Sequence, residues 1–156
     1  MQQGREVPDI VVLRPVLVGG TMLVGVAVHY LFWPINVLPT LLSRVLGLVL
    51  FISSGILAHR AHRAMKRAGT NVLPTQPTLA LATDGPFRFT RNPLYIAAIG
   101  VYLGVTLWVN SLVMLLLGVP MTVILHRGIV LREERYLETK FPRAYSEYRS
   151  RVKRWL

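Results

Sequence analysis

The sequence has no cysteine among its 156 residues, which excludes disulfide bridges, thiolate metal sites and a cysteine nucleophile. Charged residues are also scarce, because they make up 16% of the chain, whereas about 25% is usual in soluble domains. Acidic residues are the rarer class, with seven Asp and Glu against 18 Lys and Arg. A chain of this length that is 53% hydrophobic is expected to form one domain, and its composition favours a membrane protein.

Three long stretches of the chain carry almost no charge. Residues 15–35 and 92–125 contain no Asp, Glu, Lys or Arg, and residues 38–58 contain only Arg44. The stretch 92–125 is too long for one helix across a hydrocarbon core of about 30 Å, and Asn110-Ser111 is the natural place for a turn. The sequence therefore predicts an all-α polytopic membrane protein with about four transmembrane helices, over residues 15–35, 38–58, 93–109 and 112–131.

The basic residues indicate how these helices are oriented. Two precede the first span, six lie between Arg60 and Arg91, and nine follow from Arg127 onward, so only Arg44 lies elsewhere. By the positive-inside rule, this distribution predicts that both termini are cytoplasmic. The net charge of +11 brackets the apolar segments, which argues against nucleic-acid binding. No small-residue cleavage site closes the first apolar run, so a secretory signal is not expected.

Residues 132–156 are predicted to form a basic amphipathic helical segment on the cytoplasmic side. The fourth helix would continue to Lys140, break at Phe141-Pro142, and be followed by a second helix from Arg143 to Trp155. An apolar stripe with spacings of three, four and three residues would follow that helix, formed by Tyr145, Tyr148, Val152 and Trp155. The whole chain, residues 1–156, is interpreted as a single integral membrane domain.

The segment of residues 84–95 is the first of two polar groups on the basic side that could carry chemistry. Asn92 is a good N-cap and Pro93 a good first residue for the third span. A helix N-terminus attracts anions, and Arg88 and Arg91 add positive charge, so the segment suits a carboxylate or phosphate. The same residues could also form only a capped helix with interface-anchoring arginines, and capping alone favours that interpretation.

The second polar group is residues 132–138, with the sequence Arg-Glu-Glu-Arg-Tyr-Leu-Glu. Glu134 and Glu138 lie four residues apart on one helical face, which is unfavourable unless a cation is near. Adjacent carboxylates can hold an ammonium group or bind ribose hydroxyls, although they could also belong to a solvated charged surface. Because a helical hairpin brings both groups to one membrane face, together they suit a zwitterionic amino acid attached to a nucleoside.

These motifs resemble those of the membrane methyltransferase family, which groups isoprenylcysteine carboxyl methyltransferases with phospholipid N-methyltransferases and small bacterial relatives. The resemblance implies S-adenosylmethionine as methyl donor, bound at the cytoplasmic face, and direct methyl transfer to a lipid-like or membrane-partitioned acceptor. The first two spans match no motif. The resemblance covers residues 80–156, through Gly85-Pro86-Phe87-Arg88, Arg91-Asn92-Pro93-Leu94-Tyr95, a hairpin, Arg132-Glu133-Glu134-Arg135-Tyr136-Leu137-Glu138, and Tyr145, Tyr148 and Arg151-Val152-Lys153-Arg154-Trp155-Leu156.

Position by position, the resemblance implies cofactor-binding roles for seven residues, which are Gly85, Arg91, Asn92, Pro93, Tyr95, Glu133 and Glu134. It assigns no catalytic residue, for which Arg91 and Glu134 are the candidates, and it implies no metal site. Two residues depart from the family pattern. Asn92 replaces the commoner histidine and cannot titrate near neutral pH, which argues against a mechanism with a histidine base there. Pro142 replaces a glycine in the turn before the last helix.

Two other classes of function compete with this interpretation. Membrane sterol-type reductases, which use NADPH, look similar in their C-terminal part, but this chain is short for their larger helical bundle. A non-enzymatic membrane interaction protein would bind neither cofactor. The acceptor stays open between a prenyl-cysteine carboxylate, a phospholipid amine, a small thiol and an isoprenoid or quinone-like lipid, and so does the oligomeric state. Gly100 and Gly104 indicate either close helix packing or room for a lipid tail, and His29 is expected to be a packed or interfacial residue.

Overall fold

The computed structural model describes residues 14–71 and 76–156, with the exception of the Arg14 side chain, and the regular elements in this part are all helical. A 3₁₀ turn at Gly85–Arg88 precedes the third helix, and a π-helical turn at His126–Val130 continues the fourth helix into the fifth. The all-α prediction is confirmed for these residues, while the N-terminal basic residue Arg5 lies outside them. The helices are α1 Arg14–Leu31, α2 Thr40–Arg67, α3 Pro93–Val109, α4 Leu112–Leu125, α5 Leu131–Lys140 and α6 Pro142–Arg151.

Two of the described helical runs are long and apolar enough to cross a membrane. They are α2, with 28 residues, and the continuous run Leu112–Lys140, with 29 residues. Pro15–Leu31 and Pro93–Val109 are shorter apolar helices. Large apolar side chains on these helices are exposed, as expected where lipid replaces water, and Leu41 is 78% exposed. These features support membrane association, and the crossing of all four helices stays a prediction.

Helix α1 ends four residues earlier than the predicted span of residues 15–35. The backbone N–H groups of Phe32 and Trp33 both donate to the carbonyl oxygen of Val28, at 3.0 Å each, which closes the last turn. Pro34 follows, and a proline both lacks an N–H group and disfavours helical geometry in the residue before it. The boundary at Leu31 therefore has a local cause in the Trp33-Pro34 pair.

Asn110 forms the turn between α3 and α4, where the sequence predicted a break. Its backbone has φ 60°, a left-handed conformation that asparagine tolerates better than most residues. Its side chain binds the link before α2, because Oδ1 accepts from the N–H groups of Val37 and Leu38 at 3.0 Å each. Nδ2 also donates to the Leu38 carbonyl oxygen at 2.7 Å, so one side chain joins both links on this side of the molecule.

Helices α2 and α3 pack most closely through glycines. A Cβ atom added at Gly47 would lie 2.6 Å from the backbone nitrogen of Trp108 and 2.7 Å from the carbonyl oxygen of Gly104. A Cβ added at Gly100 would lie 2.1 Å from Oγ of Ser54, again on α2. Gly100 and Gly104 therefore allow α3 to pack closely against α2, which is the close helix packing that the sequence offered as one of two interpretations.

An apolar cluster lies at the basic end of the molecule, where it joins α2, the 3₁₀ turn and α6. Its members are mainly small side chains from α2 and aromatic side chains from the other two elements. The cluster fixes α6 beside the N-terminus of α3, which is where the polar motifs meet. Its buried residues are Ala61, Ala64, Ala82, Phe87, Tyr145 and Tyr148.

The last helix is shorter than the predicted helix of Arg143 to Trp155. It ends at Arg151, and Val152 has extended backbone angles, φ −121° and ψ 129°. The chain leaves the helix because its backbone pairs elsewhere, with the Arg91 N–H group donating to the carbonyl oxygen of Lys153 at 2.9 Å. Trp155 accordingly contacts the ring of His126 instead of extending a stripe along α6.

Replacing Gly47 by alanine should destabilise the protein by about 1–3 kcal/mol, because the new methyl group meets the backbone of α3 and cannot be accommodated by a rotamer change. Thermal unfolding of the purified protein in one detergent measures this effect. Gly55→Ala on the same helix is the matched control, since an added Cβ there has no atom within 4 Å. Equal melting temperatures for the two variants would contradict the packing described here.

Candidate functional site

A cavity opens at the basic end of the molecule, between the N-terminus of α3, helix α5, helix α6 and the segment of residues 78–82. The cavity volume is about 70 Å³, and the space between protein atoms around it, open solvent included, is about 660 Å³. Polar and aromatic side chains from both motifs line its inner end, and apolar side chains together with Thr70 and Thr78 line the remainder. The polar and aromatic lining residues of the two motifs and α6 are Phe87, Arg91, Asn92, Tyr95, Glu133, Glu134, Tyr145 and Tyr148.

Glu134 is the buried carboxylate around which the inner end is organised. Arg154 Nε lies 3.1 Å from its Oε1 and 3.0 Å from its Oε2, and Arg154 Nη2 lies 2.9 Å from Oε2. Arg91 Nη1 is 3.4 Å from Oε1, and Asn92 Nδ2 donates to the same oxygen at 3.3 Å. Since a buried charge is tolerated only with partners, this set of donors explains how Glu134 stays inside the protein.

The Arg91 guanidinium makes two contacts through Nη1, whereas its Nε makes no hydrogen bond. Nη1 donates to the hydroxyl of Tyr145 at 3.1 Å in addition to its contact with Glu134. Nε is buried and has no hydrogen-bond partner, one of three such side-chain atoms among the described residues. An unsatisfied buried donor costs about 1–3 kcal/mol, more when charged, and this one belongs to a residue that lines the cavity.

Asn92 is the N-cap residue of α3, as predicted, but its side chain makes no capping hydrogen bond. Its Nδ2 instead donates to Glu134 and to the carbonyl oxygen of Arg154, the latter at 3.1 Å. The side chain is drawn away from the helix because these buried acceptors need a donor. Pro93 is the first residue of α3, as predicted, and it is buried in the cavity wall.

The second glutamate of the pair has a different neighbour. The hydroxyl of Tyr95 donates a hydrogen bond to Oε2 of Glu133. Tyr95 itself is buried on the first turns of α3, so this contact ties α3 to α5 across the cavity. The structure therefore brings together the motif before α3 and the motif after α4, as the hairpin argument predicted.

Two tyrosines of α6 complete the wall. Burial raises the pKa of Tyr145, and the nearby Glu134 carboxylate raises it further. Burial likewise raises the pKa of Tyr148, whose hydroxyl donates to the carbonyl oxygen of Phe87 at 2.7 Å. Both phenols therefore remain protonated at neutral pH and act as fixed hydrogen-bond groups.

Gly85 is the one predicted site residue that does not line the cavity. It has φ 61° and begins the 3₁₀ turn, in a conformation that favours glycine. A Cβ atom added there would lie 3.6 Å from Cβ of Ala64, so the residue faces α2. Its visible contribution is to direct the chain toward Arg91 and α3.

Arg154 is the principal residue that the sequence reasoning did not assign to the site. It belongs to the C-terminal motif on which the resemblance depends, but it lies twenty residues after Glu134, beyond the reach of a spacing argument. Tyr145 and Tyr148 were assigned only to an apolar stripe. Their spacing of three residues on α6 was the signal that they share a face, and that face turned out to close the cavity.

The sequence profile described as phospholipid methyltransferase matches residues 42–144, about two thirds of the chain. This chain belongs to the phospholipid methyltransferase family. The prediction of a membrane methyltransferase family is thereby confirmed. The part of this family member that matches includes both motifs that line the cavity and ends before Arg154.

One curated relative and the solved structures complete the comparison. An uncharacterized protein of Haemophilus influenzae is 32% identical over 63 residues, which span the whole of that protein and 40% of this family member. No solved structure matches the chain.

Replacing Glu134 by glutamine should lower the free energy of unfolding by about 3 kcal/mol, because it leaves the buried guanidinium of Arg91 and the partly exposed guanidinium of Arg154 without a carboxylate. Chemical denaturation in detergent measures the change. Glu138→Gln is the control, since its ion pair with Arg149 is about half exposed and such pairs contribute about 0–1 kcal/mol. The buried network would be refuted by equal losses in the two variants.

Proposed function

We propose that this protein is an S-adenosylmethionine-dependent methyltransferase that acts at the cytoplasmic membrane face on a lipid-like, membrane-partitioned acceptor. Membership of the phospholipid methyltransferase family supports the reaction class. The assignment of this cofactor rests on the Nε atom of Arg91, which is buried and has no hydrogen-bond partner. Arg91 lines a cavity that Glu133 and Tyr95 also line. A guanidinium donor and a carboxylate acceptor in the lining of one cavity suit a ligand that has both an anionic and a cationic or hydroxyl-bearing part.

The residues fit the two ends of this cofactor. The Nε donor of Arg91 would bind the carboxylate of the amino-acid part, because charge-assisted pairs of this type are among the strongest hydrogen bonds in proteins. Glu133, with Tyr95 behind it, would accept from an ammonium group or from ribose hydroxyls. Pro93 and the tyrosines of α6 would form the apolar sides. Glu134 is already surrounded by donors, so we assign it to holding Arg91, Asn92 and Arg154 in place.

When bound, S-adenosylmethionine supplies an electrophilic methyl group on a sulfonium, and transfer forms a bond to the acceptor heteroatom as the carbon–sulfur bond breaks and a thioether is released. Such a donor needs little electrophilic help, so the task of the protein is to align the two reactants and exclude water. The buried inner end of the cavity and its protonated tyrosines suit this task. We assign no general base, since Asn92 cannot titrate.

The exposed apolar faces of the helices support an acceptor that approaches from the bilayer. Val119 and Ile124 on α4 are 65% and 46% exposed, and α4 leads directly into the helix that carries the glutamates. An acceptor with an apolar tail could lie along this surface with its polar head at the cavity. A phospholipid amine and a prenyl-cysteine carboxylate both meet this description.

The orientation of the molecule is part of the proposal. We propose four membrane-crossing helices in one domain, with both termini on the side that carries the cavity, because the link between α2 and α3 and the C-terminal segment hold most of the basic residues. The links near Asn36 and Asn110 would face the opposite side.

Reporter fusions should place the C-terminus and Gly69 in the cytoplasm, and Asn36 and Asn110 outside, because a membrane potential and anionic lipids retain basic segments on the inner side. Fusions that carry both a phosphatase active outside and a fluorescent protein active inside give opposite readouts at each position. An external C-terminus would remove the cavity from the cytoplasmic cofactor and refute the proposal.

Titration calorimetry on the purified protein should detect S-adenosylmethionine binding, and incubation of membranes with labelled cofactor should transfer label to a lipid or lipophilic molecule identified by mass spectrometry. Arg91→Gln and Glu133→Gln should each weaken binding by about 1.5–3 kcal/mol, the range for hydrogen bonds to charged groups. Arg88→Gln is the matched control, because Arg88 lies on the same segment with an exposed side chain paired to Asp84. Wild-type affinity in both cavity variants would refute this cofactor site.

A further inference from the structure

The last residues of the chain form a strap across the inner end of the cavity. After α6 the backbone is extended, and it lies beside the segment that leads into α3. Thr90 Oγ1 donates to the carbonyl oxygen of Arg154 at 3.0 Å, and the backbone N–H of Arg91 donates to that of Lys153 at 2.9 Å. The ring of Trp155 lies against that of His126, with centroids 5.6 Å apart, which anchors the strap to the π-helical turn.

Arg154 projects from this strap onto Glu134. Its contacts with both carboxylate oxygens are shorter than the 3.4 Å contact made by Arg91, so Arg154 is the main counterion of Glu134. The hydrogen bond to Glu134 raises the pKa of the Arg154 guanidinium, which stays charged. The cluster of Arg91, Glu134 and Arg154 thus contains two positive charges and one negative charge.

We propose that Arg154 is a positioning residue that occupies Glu134 and thereby leaves Arg91 able to receive the anionic end of the ligand. This inference rests on the proposed function and extends it to a residue and a segment that lie beyond the matched part of the chain. The C-terminal strap, residues 152–156, is on this view a component of the cofactor site and not only a tail packed against it.

The reason lies in competition for one guanidinium. Without Arg154, the Glu134 carboxylate would have Arg91 as its nearest remaining cation, and a carboxylate binds a guanidinium best through two parallel hydrogen bonds. An incoming anion would then have to displace Glu134 from Arg91. With Arg154 present, the surplus positive charge of the cluster remains at Arg91, on the side where Nε has no partner.

The test compares two ligands that share a nucleoside. S-adenosylhomocysteine carries the amino-acid end, and methylthioadenosine lacks it. In Arg154→Gln, the affinity for S-adenosylhomocysteine should fall by about tenfold or more, as for loss of a charge-assisted contact, while the affinity for methylthioadenosine should stay within about twofold. Arg149→Gln, an exposed arginine on α6 paired with Glu138, should change neither affinity.

A double variant distinguishes a change in the net charge of the cluster from a general loss of structure. Glu134→Gln combined with Arg154→Gln removes one charge of each sign, so Arg91 regains its surplus charge without a competing carboxylate. Its affinity for S-adenosylhomocysteine should exceed that of Arg154→Gln by at least about threefold, while it stays below that of the unchanged protein because Glu134 no longer holds Arg91 in place. If Arg154→Gln alone does not fold, the double variant is compared with Arg91→Gln, and its affinity for S-adenosylhomocysteine should be the higher of the two.

The outcomes are distinct. Three results would each overturn the role of Arg154 while leaving the proposed function intact. They are unchanged affinity for S-adenosylhomocysteine in Arg154→Gln, an equal loss for both ligands, and a double variant that binds no better than Arg154→Gln, or no better than Arg91→Gln where Arg154→Gln does not fold. If the unchanged protein binds neither nucleoside, the proposed function is wrong and this inference fails with it. Selective loss followed by recovery in the double variant supports the inference.

Discussion

The arrangement of the site depends on the need to satisfy one buried carboxylate. Glu134, on α5, would be costly inside the protein without partners, and it has donors from two separate parts of the chain, which are the segment before α3 and the strap after α6. Each of these donors fixes the position of its own segment. The same electrostatic requirement therefore gathers residues that are distant in sequence, and it determines the shape of the cavity they line.

The helices supply the frame on which this requirement can be met. Close contact through Gly47 and Gly104 places α2 against α3, and the side chain of Asn110 joins the turn of the hairpin to the link before α2 and to Ser43 on α2. At the basic end, the small residues of α2 leave room for the aromatic side chains of α6. Rigid packing at both ends lets Arg91 and Glu134 meet at a defined distance, although Arg91 lies before α3 and Glu134 belongs to α5.

The sequence predicted those features that have local causes. The bounds of α3, the turn at Asn110 and the break at Phe141 follow from charge-free length, turn residues and proline, and the meeting of the two motifs follows from a short hairpin. It mispredicted the features that depend on competition between local and distant partners. Asn92 has the chemistry of a cap, but buried acceptors on Glu134 and the strap take its amide. Helix α6 ends early because residues 152–156 pair with the segment before α3, and no local pattern indicates that partner for Arg154.

The π-helical turn at His126–Val130 has a consequence for the rotation of the helix beyond it. A π turn is equivalent to one residue inserted into an α-helix, and one residue corresponds to about 100° around a helix axis. Helix α5 is thereby turned about its axis relative to α4, and the turn sets the direction in which Glu133 and Glu134 point. A chain shorter by one residue at this place would keep both motifs and all four apolar helices. Its glutamate side chains would nevertheless point in a different direction around the helix axis. The number of residues between the hairpin and the glutamates therefore determines the direction in which the glutamate side chains point, as well as their distance along the helix.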